Sequence, residues 1–171
     1  MYGQRLKAYL NIVTISRTAK RNLLHCLSRS HLNVLGIIPS AYASSIACIS
    51  REEAIGGAVL IDIGDKNTDI AIYLDGKMHY ICSIPIGGSL ITRDIQQLFS
   101  LSSQDAERLK VIYGSVFPDN RDKKANMDLF DTISDEAFGN YIQKHKLSEI
   151  IYERVREIFI FVQKYVTADP D

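Results

Sequence analysis

The clearest pattern of apolar and polar positions lies towards the C-terminal end of the sequence. Apolar side chains recur there at intervals of three or four residues, at Leu147, Ile151, Val155, Ile158, Val162 and Tyr165. This spacing predicts a long amphipathic helix. Ile150, Phe159 and Phe161 lie off that stripe, so the helix is expected to be sandwiched or to cover another chain.

Apolar runs of a different kind predict strands in the middle of the chain. Ala58–Ile63 is apolar nearly throughout and is expected to be a central strand, buried on both faces. Thr68–Leu74 and residues 77–86 flank Asp75-Gly76, a two-residue hairpin signal, and complete a meander. Shorter strands are predicted at 6–13, at 34–38, at 129–133 and around 138–142.

Capping residues mark the predicted helices between these strands. Ser16 begins a helix that ends near Ser30, and residues 41–49, rich in small side chains, predict a closely packed helix. A third helix follows Gly87-Gly88. Ser102 and Asp105 form a capping pair for a fourth helix, which stops at Gly114. Residues 117–128 are polar and predict an exposed loop.

Composition excludes several classes of function. Twenty basic and twenty acidic side chains cancel, so charge gives no argument for binding nucleic acid or an anionic membrane surface. The three cysteines form no CxxC pair and are interpreted as small core residues of a reducing compartment. The four histidines show no zinc-ligand spacing. With no secretory signal and no apolar run of roughly 18 residues, a soluble cytoplasmic domain is expected.

One segment, residues 57–73, carries candidate chemistry. Asp62 and Gly64 stand where an apolar strand ends and a tight turn begins, and Thr68-Asp69 stands at the start of the next strand. Such a turn can direct backbone N–H groups and a hydroxyl towards a phosphate, and the aspartate can hold Mg²⁺ through water. The alternative is an ordinary hairpin, because Asp, Gly, Asn and Thr are common turn residues.

The surroundings of this segment resemble a known superfamily. The order Asp-x-Gly-x-x-x-Thr-Asp, hairpin, Pro85-Ile86-Gly87-Gly88 and helix resembles the second phosphate loop of actin, Hsp70 and hexokinase. Residues 1–6, 12–14 and 21–26, the Pro-Ser-Ala-Tyr-Ala-Ser stretch at 39–44, and the Asp-Ala-Glu helix at 105–114 resemble the FtsA family. The resemblance is collinear and covers almost the whole chain.

The resemblance implies a fold and a division into parts. The fold is the actin-like, ribonuclease H-like ATPase fold, an α/β class with α+β character in parts, here incomplete, with a mixed sheet and flanking helices. Residues 1–33 are similar to the tail of the FtsA-specific subdomain 1C. Residues 34–100 resemble subdomain 2A, and residues 101–171 resemble the first part of subdomain 2B.

The resemblance also implies a nucleotide site. ATP with Mg²⁺ is the expected ligand of the full-length protein, with Asp62 as the metal-binding residue. The residues expected to bind it are Asp62, Gly64, Asn67, Thr68, Gly87 and Gly88. Asp65 and Lys66 stand where the family often has glycine, and neither a first phosphate loop nor an adenosine-binding Gly-Gly segment is found. Weak or absent ATP binding by this chain is therefore expected, and at most weak ATPase activity in the full-length protein.

A third implication concerns partners. FtsA-like proteins link FtsZ to the membrane at the division site, and the acidic FtsZ tail docks on subdomain 2B. The helices at 103–113 and 144–165 are expected to form that surface. Its candidate cations are Lys144, Lys146, Arg154 and Arg156, with a solvated helix face as the alternative. Self-association into actin-like filaments and contact with other division proteins are also expected, at the inner face of the cell membrane but without direct membrane contact by this chain.

Two other hypotheses remain open on the sequence. The chain could belong to an ATP-hydrolysing enzyme of the same superfamily, which would need Asp62, Gly64, Thr68 and a catalytic residue from another lobe. It could also be the non-functional product of a split gene, whose exposed apolar edges would limit its solubility.

Overall fold

The structure is a computed structural model that describes residues 10, 12–117, 132–133 and 142–167. The chain divides into two units. Unit 1 comprises Met1–Asp62 and Asp69–Cys82, and unit 2 comprises Ile63–Thr68 and Ser83–Asp171. The subdomain boundaries inferred from the family resemblance stay a prediction.

Three helices belong to unit 1: α1 (Arg17–Arg29), α2 (Ser40–Cys48) and α3 (Arg51–Gly56). The α1 helix begins as predicted, because the Ser16 hydroxyl accepts a hydrogen bond from the Ala19 amide at 3.4 Å. The α3 helix was not predicted. Its signal is a capping box in which Ser50 and Glu53 each satisfy the other's backbone N–H.

The strands β1 (Ala58–Ile63), β2 (Thr68–Leu74) and β3 (Lys77–Ile84) form an antiparallel meander in the order β1-β2-β3. The turn between β2 and β3 has positive φ at both central residues, 52° at Asp75 and 74° at Gly76. Positive φ at both positions is the requirement of a type I′ turn. The predicted hairpin is therefore confirmed.

The β1 strand corrects one prediction. It is an edge strand of the described sheet and is not buried on both faces, since Val59 is 41% and Ile63 43% exposed. An edge strand pairs with a neighbour on one side only. An apolar composition does not reveal whether a strand lies at the edge or in the centre of a sheet.

The segment before α2 corrects another prediction. Residues 34–38 form no strand, and Leu35 is fully exposed. An apolar run becomes a strand only where a partner accepts its hydrogen bonds, and no described strand pairs with this one. The predicted strand at 6–13 falls mostly outside the described residues, and its described members Leu10, Ile12 and Val13 are exposed and lie in no strand.

The cysteines also differ from expectation. Cys26 and Cys48 are exposed, whereas Cys82 is half-buried. The physical reason lies in the helices that carry the exposed pair. No residue of α1 is buried, and α2 buries only Ala41 and Ser45.

Unit 2 contains α4 (Gly88–Phe99), α5 (Ser103–Tyr113), β4 (Thr132–Ile133), β5 (Ile142–Gln143) and α6 (Lys144–Thr167). The β4 and β5 strands pair antiparallel. The remaining residues of the strands predicted at 129–133 and 138–142, and residues 118–128 of the predicted loop, lie outside the described residues. One hydrophobic core joins α4, α5, β5 and α6, through Ile91, Ile95, Ala106, Leu109, Ile142, Leu147 and Ile151.

The α6 helix confirms most of the predicted stripe. Leu147, Ile151, Ile158 and Val162 are buried and Val155 is half-buried, whereas Tyr165 near the end of the helix is exposed. Its other side exposes Tyr152, Phe159, Ile160 and Val166. Among the described helices, none combines the length and the apolar content needed to cross a bilayer.

Candidate functional site

The turn that follows β1 is a tight hairpin within unit 2. The Gly64 amide donates to the Asn67 carbonyl at 2.9 Å. Thr68, which is completely buried, donates its hydroxyl to the Ile86 carbonyl at 2.7 Å. The Thr68 hydroxyl therefore ties this turn to the segment that precedes α4.

Residues 64–67, hereafter the loop, pack directly on the first turn of α4. The Gly88 amide donates to the Gly64 carbonyl at 2.9 Å, and the Ser89 amide donates to the Asp65 carbonyl at 2.8 Å. A Cβ atom at Gly87 would lie 2.5 Å from the Gly64 carbonyl oxygen, so only glycine fits there. The backbone N–H groups of Gly88 and Ser89 thus hold the loop against α4.

The tip of the loop provides other donors. The backbone N–H groups of Asp65, Lys66 and Asn67 donate no hydrogen bond within the described part of the chain. All three residues are exposed. Consecutive N–H groups in a turn can bind an anion such as a phosphate. The backbone N–H groups of Asp65, Lys66 and Asn67 are therefore candidate donors to an anion.

A polar cluster joins α4 to α5 beside the loop. The Lys110 ammonium donates to Thr92 Oγ1 at 2.8 Å and to the Gly88 carbonyl at 3.3 Å, and pairs with Glu107 at 2.7 Å. The Thr92 hydroxyl donates to the same Glu107 carboxylate. Hydrogen bonds from Lys110 and then Thr92 lower the pKa of Glu107 below its usual value, so this carboxylate is ionised at neutral pH.

These residues were not among the predicted site residues. The available signal was the Asp-Ala-Glu helix itself, in which Glu107 and Lys110 stand three positions apart and so share a face. Nothing in the local sequence of α4 marks Thr92 as their partner, because a threonine inside a helix is common and Thr92 lies 15 positions from Glu107.

An open groove of about 910 Å³ runs along this side of unit 2. Its size is that of a small-molecule site, and its polar wall offers both hydrogen-bond donors and acceptors. That wall includes Asp65, Ser89, Thr92, Glu107 and Arg108.

The predicted magnesium ligand belongs to unit 1, whereas Gly64, Asn67, Thr68, Gly87 and Gly88 belong to unit 2. Asp62 Oδ2 accepts a hydrogen bond from the Ser44 hydroxyl at 2.9 Å, and Asp69 accepts one from Ser40. Ser40 and Ser44 are one turn apart on α2, so both hydroxyls lie on the same face of this helix. Among the described residues, no group of three metal-ligating side chains is assembled. A single carboxylate suits Mg²⁺, which keeps most of its water and binds phosphates.

The four predicted partner-binding cations have unequal surroundings. Arg154 is committed to α4, since its Nε and Nη2 both lie 2.7 Å from Asp94 Oδ2, and its Nη1 pairs with Glu157. Arg156 pairs with Glu153 at 3.4 Å, and both side chains are mostly exposed. Lys146 is exposed, whereas Lys144 is half-buried at the start of α6.

A family model described as "Cell division protein FtsA" matches residues 59–149. The chain is 36% identical over 124 residues to the cell division protein FtsA of Agrobacterium fabrum, covering 72% of this chain and 28% of that protein. It is 33% identical over 159 residues to the FtsA of Borreliella burgdorferi, covering 93% of this chain and 38% of that protein. The chain thus spans well under half the length of these relatives.

Solved structures resemble the chain at lower identity. MreB5 of Spiroplasma citri bound to ADP superposes with a TM-score of 0.69 at 20% identity, covering 91% of this chain and 49% of that one. The PilM–PilN type IV pilus biogenesis complex gives a TM-score of 0.59 at 18% identity, covering 90% and 38%. These likenesses confirm the predicted actin-like fold.

Proposed function

Because the chain belongs to the cell division protein FtsA family, we propose that it is part of a division scaffold, with half of a nucleotide site and a docking region for the FtsZ tail. The observation that carries the nucleotide half-site is the loop of residues 64–67. It is locked onto α4 while three successive N–H groups at its tip remain available. A preorganised set of donors binds an anion without first having to order itself.

The groove of unit 2 extends the half-site. When an adenine nucleotide is bound, its phosphates would accept hydrogen bonds from the amides of Asp65, Lys66 and Asn67, and its sugar and base would lie along the groove. In the full-length protein, Asp62 is proposed as the residue that would hold Mg²⁺ through water. The Glu107 carboxylate, half exposed on the groove wall, can accept a hydrogen bond from a sugar hydroxyl.

Affinity for this ligand is expected to be low in the chain by itself. The family resemblance implies a site that encloses the nucleotide between two lobes, and the chain spans only 28% of the FtsA of Agrobacterium fabrum and 38% of the FtsA of Borreliella burgdorferi. One wall of a site leaves most of the ligand in water, which limits the surface that binding can bury. We therefore propose scaffolding rather than catalysis, with at most weak ATPase activity in the full-length protein.

Titration with Mg²⁺–ADP tests the half-site. Amide NMR signals of Asp65, Lys66 and Asn67 are expected to shift at millimolar ligand, with a dissociation constant weaker than about 100 μM. Adenosine without phosphates is the control and should leave these three signals unchanged. Unchanged loop signals with Mg²⁺–ADP would refute the half-site, and micromolar affinity would refute the claim that it is incomplete.

The docking region is proposed on α6. Tyr152, Phe159 and Val166 are exposed and recur every seven residues, so they form one apolar stripe. Arg156 lies on the same face, three or four positions from its apolar neighbours. An apolar stripe beside a cation suits an acidic amphipathic peptide such as the FtsZ tail.

Charge reversal tests the contribution of Arg156, the cation on the face of this stripe. Arg156→Glu is expected to weaken binding of an FtsZ-tail peptide from the same organism by about tenfold, because exposed charges steer and hold an acidic partner. Fluorescence anisotropy of a labelled peptide measures the change. Lys20→Glu on α1 is the matched control, expected to leave affinity unchanged. No binding of the unmodified chain at tens of micromolar would remove this partner from the proposal.

Two further properties are proposed for the full-length protein only. We propose that the full-length protein self-associates head to tail and joins FtsZ to the membrane-associated division machinery at the inner face of the membrane. This chain is proposed to contribute part of such contacts, together with other division proteins. No nucleic-acid or direct membrane contact is proposed for it.

A further inference from the structure

A continuous hydrogen-bonded path runs from α5 to the loop at residues 64–67. We propose that Lys110, together with Thr92 and Glu107, is a positioning residue that holds this loop in its anion-binding shape, so that the shape depends on the placement of α5. The inference adds a positioning role to the proposed nucleotide half-site, and its functional meaning rests on that proposed function. Its structural content can be tested without any nucleotide.

Gly88 is the residue through which the path passes. Its N–H donates to the Gly64 carbonyl at 2.9 Å, and its own carbonyl accepts from the Lys110 ammonium at 3.3 Å. The first peptide units of α4 therefore touch the loop on one side and α5 on the other. A shift of α5 that carried Lys110 away would remove an anchor from the turn that holds the loop.

The donor capacity of Lys110 is filled inside unit 2. An ammonium group has three N–H donors, and the three acceptors here are the Gly88 carbonyl, the Thr92 hydroxyl and the Glu107 carboxylate. The Lys110 side chain is only 20% exposed. A largely buried cation is stable only when it is paired and hydrogen-bonded. Lys110 is thus placed to act through Gly88 and not on a ligand in the groove.

Thr92 closes the cluster. It is 6% exposed, accepts from Lys110 and donates to Glu107, so one hydroxyl fixes both charged partners. Such a network is cooperative, because each hydrogen bond polarises the next. Removal of either the ammonium or the hydroxyl is expected to loosen the same turn of α4.

Hydrogen exchange of individual amides tests the proposal on the nucleotide-free chain. The Gly88 and Ser89 amides, which donate to the loop, are measured by NMR in the unmodified chain and in Lys110→Met. About tenfold faster exchange at both positions is expected, the loss typical of a charged hydrogen bond. Thr92→Val, which keeps the side-chain volume, should act in the same direction. Lys77→Met, an exposed lysine of unit 1, should change neither rate.

The outcomes separate this inference from the proposed function. Amides in the core of α6 report whether unit 2 is still folded, and their exchange should stay unchanged. Unaltered exchange at Gly88 and Ser89 in both Lys110→Met and Thr92→Val would overturn the positioning role. The role would be overturned even if Lys110→Met weakened Mg²⁺–ADP binding, because Lys110 would then act on the ligand directly. Faster exchange in a chain that binds no nucleotide would sustain the positioning role and refute the half-site alone.

Discussion

Replacing Gly87 with alanine is expected to destabilise unit 2 by about 2–3 kcal/mol, a large effect for one added methyl group. The new Cβ would lie 2.5 Å from the Gly64 carbonyl oxygen, 2.6 Å from the Asp65 carbonyl oxygen and 2.8 Å from the Asp65 carbonyl carbon. All three are backbone atoms and cannot rotate away as a side chain could. The backbone of Gly87 is extended, a conformation that any residue can adopt. A side chain is therefore excluded by steric contact and not by the backbone angles.

The neighbouring glycine provides the control. A Cβ at Gly88 would meet nothing closer than 3.7 Å, an ordinary contact. Gly88→Ala should therefore be neutral or stabilise the chain by about 0.5–1 kcal/mol, through the smaller entropy of the unfolded state. Urea unfolding followed through NMR signals of α5 and α6 compares the two variants. Equal stability of Gly87→Ala and Gly88→Ala would show that the loop does not pack on α4 through Gly87.

The contrast between these glycines shows what the sequence could predict. The helix predicted after Gly87-Gly88 is present and begins one residue earlier, at Gly88. It could be predicted because glycine punctuation is a local signal. The same holds for the caps at Ser16 and Ser102 and for the Asp75-Gly76 turn. Each of these features is decided by residues within four positions of one another, where stereochemistry alone restricts the outcome.

The pattern of residue types along the sequence does not predict interactions between distant segments. Arg154 was a candidate cation for an acidic partner, yet it is paired with Asp94, 60 positions away on another helix. A pattern of charges along α6 identifies a polar position but not the partner that neutralises it. The Thr92–Glu107 contact was not predicted for the same reason. The apolar run at 34–38 resembled a strand because its residues suit one, but pairing depends on a neighbour that the run itself does not specify.

The largest loss of stability is expected from Leu109→Ala on α5, at about 2–5 kcal/mol. Leu109 is completely buried in the core shared by α4, α5 and α6. Truncation removes apolar contacts and leaves a cavity that the surrounding helices can only partly fill. Because Leu109 is flanked by the helix positions that place Glu107 and Lys110, the polar cluster should loosen with it.

Val111→Ala, two positions along the same helix, is the matched control. Val111 is 71% exposed, so its truncation should change the free energy of unfolding by less than about 0.5 kcal/mol. Urea unfolding of both variants, with exchange at Gly88 and Ser89 measured alongside, links the core to the loop. If Leu109→Ala lowered stability but left both exchange rates unchanged, the apolar face of α5 would hold unit 2 together without setting the loop. If exchange at Gly88 and Ser89 rose by more than exchange at the core amides of α6, the placement of α5 by its core would be what gives the loop its anion-binding shape.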